Sequence, residues 1–321
     1  MRQLIAAALA ATAALAAGPS SAADPWPART ITIVVPFGAG SASDLFARQY
    51  AKAVTEELKA TVIVENKPGA NAMLGAQQVA KAAPDGYTLL LGSGTANAVN
   101  YALYPSTIGY KPESFAPIAV LWASPIVMFT PTAAGTATVP QAIAKAKAGG
   151  KGISCASGNA VTQVACGVLK AQARIDVVSV PYKSTALALA DLAGGQTDVA
   201  FSDLGAGLTF IQQGRVKPVG SASAQRLESL PNVPTFAEQG FDDFKFVSWA
   251  GLFAPAGTPE PVVEKLSAVV RKMLASPEWD KQRVASSGIP LNGDLAESRK
   301  FVADEVVRWA NYIRASGVKV E

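Results

Sequence analysis

The strongest constraint on this chain is a repeated order of segments. Short apolar runs occur at Thr30–Val35, Thr61–Glu65 and Tyr87–Leu91, and again at Lys151–Ala156, Val177–Val180 and Thr197–Phe201. Each run ends in a loop of small or polar residues. Helical patterns follow at about 43–58 and 71–82, then at 161–173 and 184–194. Short, continuous apolar strands set between helices predict a parallel sheet covered on both faces. The order occurs twice, so the expected fold class is α/β with two units, each a parallel-dominated sheet flanked by helices.

Two extended stretches, Ile118–Thr130 and Phe246–Phe253, lie where the chain would leave the first unit and return to it. After the second come three helical segments, Pro261–Ala275, Glu278–Ser287 and Ala296–Ala315, with no strand run of their own. They are expected to pack back on the first unit. The predicted organisation is a discontinuous domain, 24–122 plus 248–321, with a second domain, 123–247, inserted and joined by two hinge strands. Ligand sites favour domain interfaces and the carboxyl ends of parallel strands, and both rules point to one cleft.

The N-terminus reads as an export signal. Arg2 is the only charge before the apolar run Leu4–Ala17, and Ser21-Ala22-Ala23 offers a small-residue cleavage site. No cysteine follows the apolar run, so a lipid anchor is not expected. The chain has 321 residues, half of them hydrophobic, enough for two sizeable cores. Its formal net charge is +4, but the cations are scattered and not interleaved with aromatics, which argues against nucleic acid. It has no histidine, which removes the usual Ser-His-Asp and Cys-His catalysis and the commonest zinc ligand. Neither a catalytic residue, a metal site nor a cofactor is expected. The two cysteines, Cys155 and Cys166, invite a disulfide in an oxidising compartment. The alternative is two buried thiols in one βα unit, with Cα atoms too far apart to bridge.

The first strand-end loop carries Phe37, Gly38, Ala39, Gly40 and Ser41. Its glycines allow a tight turn, and Ser41 with Asp44 fits a capping box that opens a helix. Backbone N–H groups at such a helix start favour anions. Gly38-Ala39-Gly40 begins like a dinucleotide fingerprint. Ser43 replaces its third glycine, however, and the acidic Glu65 lies 27 positions beyond Gly38. Asn71 is a candidate helix cap or ligand contact, and Ser93, Thr95 and Asn97 follow the third strand. In the second unit, Ser157-Gly158-Asn159 mirrors the opening loop. Lys183 is a candidate partner for an acid, or a solvated lysine. Asp203 is an acceptor for a ligand amine or hydroxyl, or a cap for the helix from Leu204.

These segments together resemble the Bug-type (TctC-like) extracytoplasmic solute receptors of tripartite tricarboxylate transport systems. The resemblance covers the mature chain and rests on Trp26-Pro27, Ile31–Phe37, Gly40, Asp44–Arg48, Val64–Ala70, Ala83–Leu90, Val180–Lys183, Leu192–Val199, Pro231–Thr235 and Gly251–Gly257. It implies a two-domain periplasmic binding protein of the Venus-flytrap type that closes on a small carboxylate and delivers it to membrane transporter subunits. The carboxylate would be a di- or tricarboxylate, an amino acid or an aromatic acid, and the receptor a monomer. The implied contacts are Phe37, Ala39, Gly40, Ser41, Asn71, Ala72, Ser93 and Thr95 on one side. Across the cleft they are Ser157, Gly158, Thr162, Lys183 and Asp203. The sequence departs from the family pattern at Gly40-Ser41, where paired glycines are usual. It also departs at Val161 and Val164, where serine and histidine are usual, which points to a less polar acid than citrate. Two other classes stay open: a ligand sensor for a signalling partner, which the binding site does not distinguish from a transport receptor, and, fitting less well, an exported α/β hydrolase, which would need a nucleophile–base pair that the residues do not supply.

Overall fold

The computed structural model describes residues 26–316 apart from 151, 243 and 286. The export signal read at residues 1–23 lies outside them. The first unit has β1 (Ile31–Val35), α1 (Ala42–Leu58), β2 (Val62–Asn66), α2 (Met73–Ala80) and β3 (Thr88–Ser93). A π-helical turn (Thr95–Val99) and α3 (Asn100–Leu103) follow. A long strand, β4 (Phe115–Pro131), then leads to α4 (Val139–Ala148), β5 (Ile153–Ser157), α5 (Ala160–Ala173), β6 (Val177–Pro181), α6 (Thr185–Ala193), β7 (Val199–Asp203), α7 (Leu204–Gln212) and β8 (Val216–Ser221). The chain returns through β9 (Val247–Pro255) and ends in α8 (Glu260–Leu274), α9 (Pro277–Ala285) and α10 (Leu295–Ser316).

β1 pairs in parallel with β2 and β3, and β5 in parallel with β6 and β7. β9 lies antiparallel between β3 and β4. β4 serves both groups: residues 115–125 pair with β9, and residues 126–131 pair with β7 and β8. The two extended stretches read from the sequence are therefore neighbouring antiparallel strands, and both sheets share β4. β1 shows why its sequence forms a strand buried on both sides. Ile31, Ile33 and Val35 face one apolar cluster and Val34 the other, so β-branched side chains meet a covered surface on each face.

Ser41 caps α1, and Phe46, Ala47, Tyr50, Ala51 and Val54 form its buried stripe. That stripe meets α8, where Tyr50 Oη donates to Leu266 O at 3.2 Å. The other face of the same sheet packs α2, the π turn and α10. This cluster continues into the second unit through Val161, Val164, Val168 and Phe201. The expectation that all three C-terminal helices pack back on the first unit needs extending for α10. α10 lies on β4, on the π turn and on α5, so it touches elements of both groups. The sequence reading also lacked β8 and α4, and gave α7 only as a helix that Asp203 could cap. No helix among the described residues is long and apolar enough to cross a membrane.

Candidate functional site

The pairing directions place the strand ends. β3 runs antiparallel to β9, β9 to β4, and β4 to β7. β1–β3 therefore run with β4 while β5–β7 run against it, and the two sets point their carboxyl ends at each other. Ser93, the last residue of β3, pairs with Ala250, which pairs with Trp122 of β4. Asp203, the last residue of β7, pairs with Ile126. Four steps of β4 separate these levels, about 13 Å at the usual strand rise. Six strand-end loops thus face a gap that a small molecule spans. Cavities of about 240 and 400 Å³ lie elsewhere, one around Lys52, Lys272 and Trp279 and one behind β4 around Val120, Leu291 and Phe301. The convergence of loops, rather than cavity size, singles out the gap.

On the first side, the opening loop is organised by Asp44. Ser41 Oγ accepts the N–H of Asp44 at 3.3 Å, as the capping box requires. The carboxylate does not return to the Ser41 N–H, however. It accepts from Gly40 N at 2.9 Å, Asn66 Nδ2 at 3.0 Å and Arg48 Nε at 3.0 Å, while Ser41 N donates to Gly38 O. Burial pushes the Asp44 carboxyl up, but these donors outweigh it and hold it below the usual carboxylate range. The Gly40 and Ser41 amides are thus occupied. The N–H groups of Ala39, Ala42 and Ser43 have no partner among the described residues. Phe37 packs beside both neighbouring apolar clusters.

The second loop holds three successive non-glycine residues in the left-handed region: Ala70 (φ 46°), Asn71 (φ 53°) and Ala72 (φ 70°). Each costs of order 1 kcal/mol. Asn71 does not cap α2; Ala72 occupies that position without a side-chain cap. Instead, Asn71 Nδ2 donates to Tyr104 Oη at 2.9 Å, and its carbonyl accepts from buried Asn100 Nδ2 at 2.8 Å. The strained turn is held from behind, and the Asn71 and Ala72 amides are left without partners among the described residues. In the third loop Ser93 and Thr95 are buried, and Ser93 Oγ accepts from Ala96 N at 3.3 Å.

On the second side, Cys155 and Cys166 are bonded, with Cα atoms 6.0 Å apart, within the span a disulfide bridges. The bond ties the middle of β5 to the second turn of α5 and encloses the loop from Ser157 to Thr162. Gly158 is there because nothing larger fits: an added Cβ would lie 2.1 Å from Thr185 N. Thr162 is fully buried, and its hydroxyl accepts from Gly158 N at 3.1 Å and Asn159 N at 3.2 Å. In this structure Thr162 therefore organises the loop, and Ala160 and Val161 present the unpartnered N–H groups. Lys183 is exposed and makes no ion pair among the described residues. Asp203 caps α7 by accepting from Ala206 N at 3.0 Å. Burial raises its pKa against that bond.

With this geometry in place, comparison with known proteins is decisive. The profile of the tripartite tricarboxylate transporter family receptor, TctC, matches residues 46–318. The chain belongs to the TctC family. It is similar to BugT of Bordetella pertussis, 32% identical over 315 residues, covering 97% of this chain and 96% of BugT. MatC (Rpa3494) from Rhodopseudomonas palustris, solved with bound malate, superposes with a TM-score of 0.82 at 29% identity, covering 90% of this chain and 100% of that one. Rpa4515 from the same organism, solved with adipate, gives 0.83 at 28% identity, covering 92% and 99%. TctC proteins are transport receptors and not enzymes, and the α/β periplasmic binding protein fold is shared throughout this group.

For a TctC receptor, the two valines take different places. Val161 is buried but packs beneath the first side's third loop: a Cβ added to Gly94 would lie 3.5 Å from Val161 Cγ2 and 3.0 Å from Trp249 Nε1. Val164 is fully buried in the same packed cluster. The sequence reading missed the buried pair of Trp249 and Glu305. Trp249 lies in a stretch read as a hinge strand, but nothing in the sequence told which face its ring would take.

Proposed function

We propose that this chain is a periplasmic receptor that captures a small carboxylate between a discontinuous domain, 24–122 with 248–321, and an inserted domain, 123–247, and delivers it to membrane transporter subunits. The observation that carries the reading is the opposition of six strand-end loops across a gap of about 13 Å. The loops offer backbone N–H groups at Ala39, Ala42, Asn71, Ala72, Ala160 and Val161, with hydroxyls at Ser93, Thr95 and Ser157. Among the candidate contacts the only cationic side chain is the exposed Lys183. An anion here is held mainly by amide dipoles and helix starts. The malate and adipate found in two relatives fit this chemistry.

Binding favours the closed arrangement because only that arrangement contacts ligand from both sides. The free carboxylate oxygen of Asp203 suits a hydroxyl or amine on the ligand. Val161 at the floor favours a less polar acid over citrate. Calorimetric titration with malate, adipate, benzoate and citrate tests the proposal. Saturable binding of malate, adipate or benzoate supports it, and no heat with any of the four overturns it. Tight citrate binding with no response to the less polar acids overturns the preference.

A further inference from the structure

Outside the candidate contacts, one buried ionisable group has no role in ligand capture: Glu305 on α10, with a relative exposure of 1%. One carboxylate oxygen, Oε2, accepts the indole N–H of Trp249 at 3.1 Å and that of Trp309 at 3.0 Å. The other, Oε1, pairs with Arg308. Burial raises the Glu305 pKa against the pull of Arg308 and the two indoles. A carboxylate is costly to bury and tolerable only while its donors stay in place. The two indoles are therefore locked: if Trp249 swings away, a buried charge loses a hydrogen bond.

Trp249 is a core residue, 2% exposed, but its place in the fold is particular. It pairs with Ala123 of β4, at the level of the gap. The Nε1 edge that donates to Glu305 also lies beneath Gly94: a Cβ added there would come within 3.0 Å of Trp249 Nε1 and 3.5 Å of Val161 Cγ2 from the second side. Its other contacts are the edge-on ring of Phe301 from α10 and the ring of Phe253. A physical chain thus runs from Glu305 through Trp249 to the place where loops from both sides meet.

We infer that Glu305 is a positioning residue that fixes Trp249 as the floor of the cleft, and so sets how deep a ligand can sit. The ligand part of the inference rests on the receptor reading; the part about the floor does not. Trp309 supplies the control, because it gives Glu305 the same kind of hydrogen bond while the atoms nearest a Cβ at Gly94 belong to Trp249 and Val161.

The first test needs no ligand. Amide ¹⁵N–¹H spectra of the full mature chain are compared for wild type, Glu305→Gln, Trp249→Phe and Trp309→Phe. Glu305→Gln keeps the side-chain shape and removes the charge. Expected are displaced Gly94 and Val161 amide resonances in Glu305→Gln and Trp249→Phe, with both resonances near their wild-type positions in Trp309→Phe. Unmoved Gly94 and Val161 resonances in Glu305→Gln overturn the inference. So does an equal displacement in Trp309→Phe.

The second test is the ratio of malate to adipate affinity. In Glu305→Gln and Trp249→Phe it should change by roughly tenfold, the scale on which pocket shape discriminates alkyl length. In Trp309→Phe it should hold even though stability falls. A uniform loss of affinity with an unchanged ratio in all three variants would make Glu305 merely structural and overturn the inference. If wild type binds neither acid, the receptor reading for these acids fails, and the spectra still decide the role of Glu305.

Discussion

Removal of the Cys155–Cys166 disulfide is the perturbation whose size follows most directly from the structure. The bond closes a sequence separation of 11 residues. In the chain-entropy account, a loop of that length raises stability by about 2.8 kcal/mol at 25 °C. For units of this size the loss corresponds to a fall in melting temperature of roughly 6–11 °C. Both cysteines are buried, so reduction requires unfolding in reductant followed by refolding. Equilibrium urea unfolding should be compared for oxidised protein, refolded reduced protein and the Cys155→Ala/Cys166→Ala double variant. The reduced wild type keeps every heavy atom, so its loss reports the cross-link rather than packing. The Gly158 and Asn159 amides, which donate to Thr162 Oγ1, should also exchange faster once the bond is open. If reduced protein matches oxidised protein within about 0.5 kcal/mol while only the alanine variant falls, the loss is a cavity effect and the entropy argument is wrong.

Three further outcomes are expected. Gly158→Ala should lose roughly 2–3 kcal/mol in chemical denaturation, because its Cβ would meet the backbone at Thr185 N and a flexible side chain cannot yield there. Asp44→Asn should be less stable than wild type at neutral pH. The Asp44 pKa is lowered by folding, so its contribution is fully present above the unfolded value of about 3.9 and disappears as pH falls through the folded value; unfolding curves of the two proteins should converge on acidification. Ala70→Gly should raise stability by about 0.5–1 kcal/mol, since Ala70 is exposed and held at φ 46°, and a clear loss in thermal unfolding would show that the turn is not strained.

What the sequence made legible was periodic or local. Val62–Asn66 and Thr88–Ser93 could be read because each contains an unbroken apolar run, Val62–Val64 and Leu89–Leu91, with turn residues nearby. Val216–Ser221 escaped because Lys217 and Pro218 interrupt its pattern, yet it pairs with β4 at the outer edge of its sheet, where a proline is tolerated. The Ser41 cap was visible because it is a contact between residues three apart. That Asp44 would turn instead to Gly40, Asn66 and Arg48 depended on β2 lying beside β1. The left-handed run at 70–72 was hidden for a related reason. Alanine carries no turn signal, and what holds the strain is Asn100 and Tyr104, about thirty residues away. Glu305 looked like any helical surface acid. Only the meeting of β9 with α10 shows it to be buried.

The two sides of the gap are made rigid by different means, and this bears on how a receptor of this kind gains affinity. On the first side, a buried carboxylate anchors one loop, and two side chains from behind hold a strained turn. On the second, a disulfide and the Thr162 hydroxyl fix the loop before α5. In both, several amides are occupied by these internal contacts, and the unpartnered ones stand beside them in an already ordered backbone. Ordering a loop on binding costs affinity, and preorganisation removes that cost. In the two-domain receptor proposed above, the remaining motion would be rotation about β4 and β9. Contacts to a ligand can then act on a single equilibrium, open against closed, rather than on many local ones. Substitutions that loosen one loop, such as loss of the disulfide, should weaken binding of every acid in proportion. Substitutions at the floor, where Gly94, Trp249 and Val161 meet, should change which acid binds best. Measured as affinities for a series of acids, the first class shifts all values together and the second reorders them.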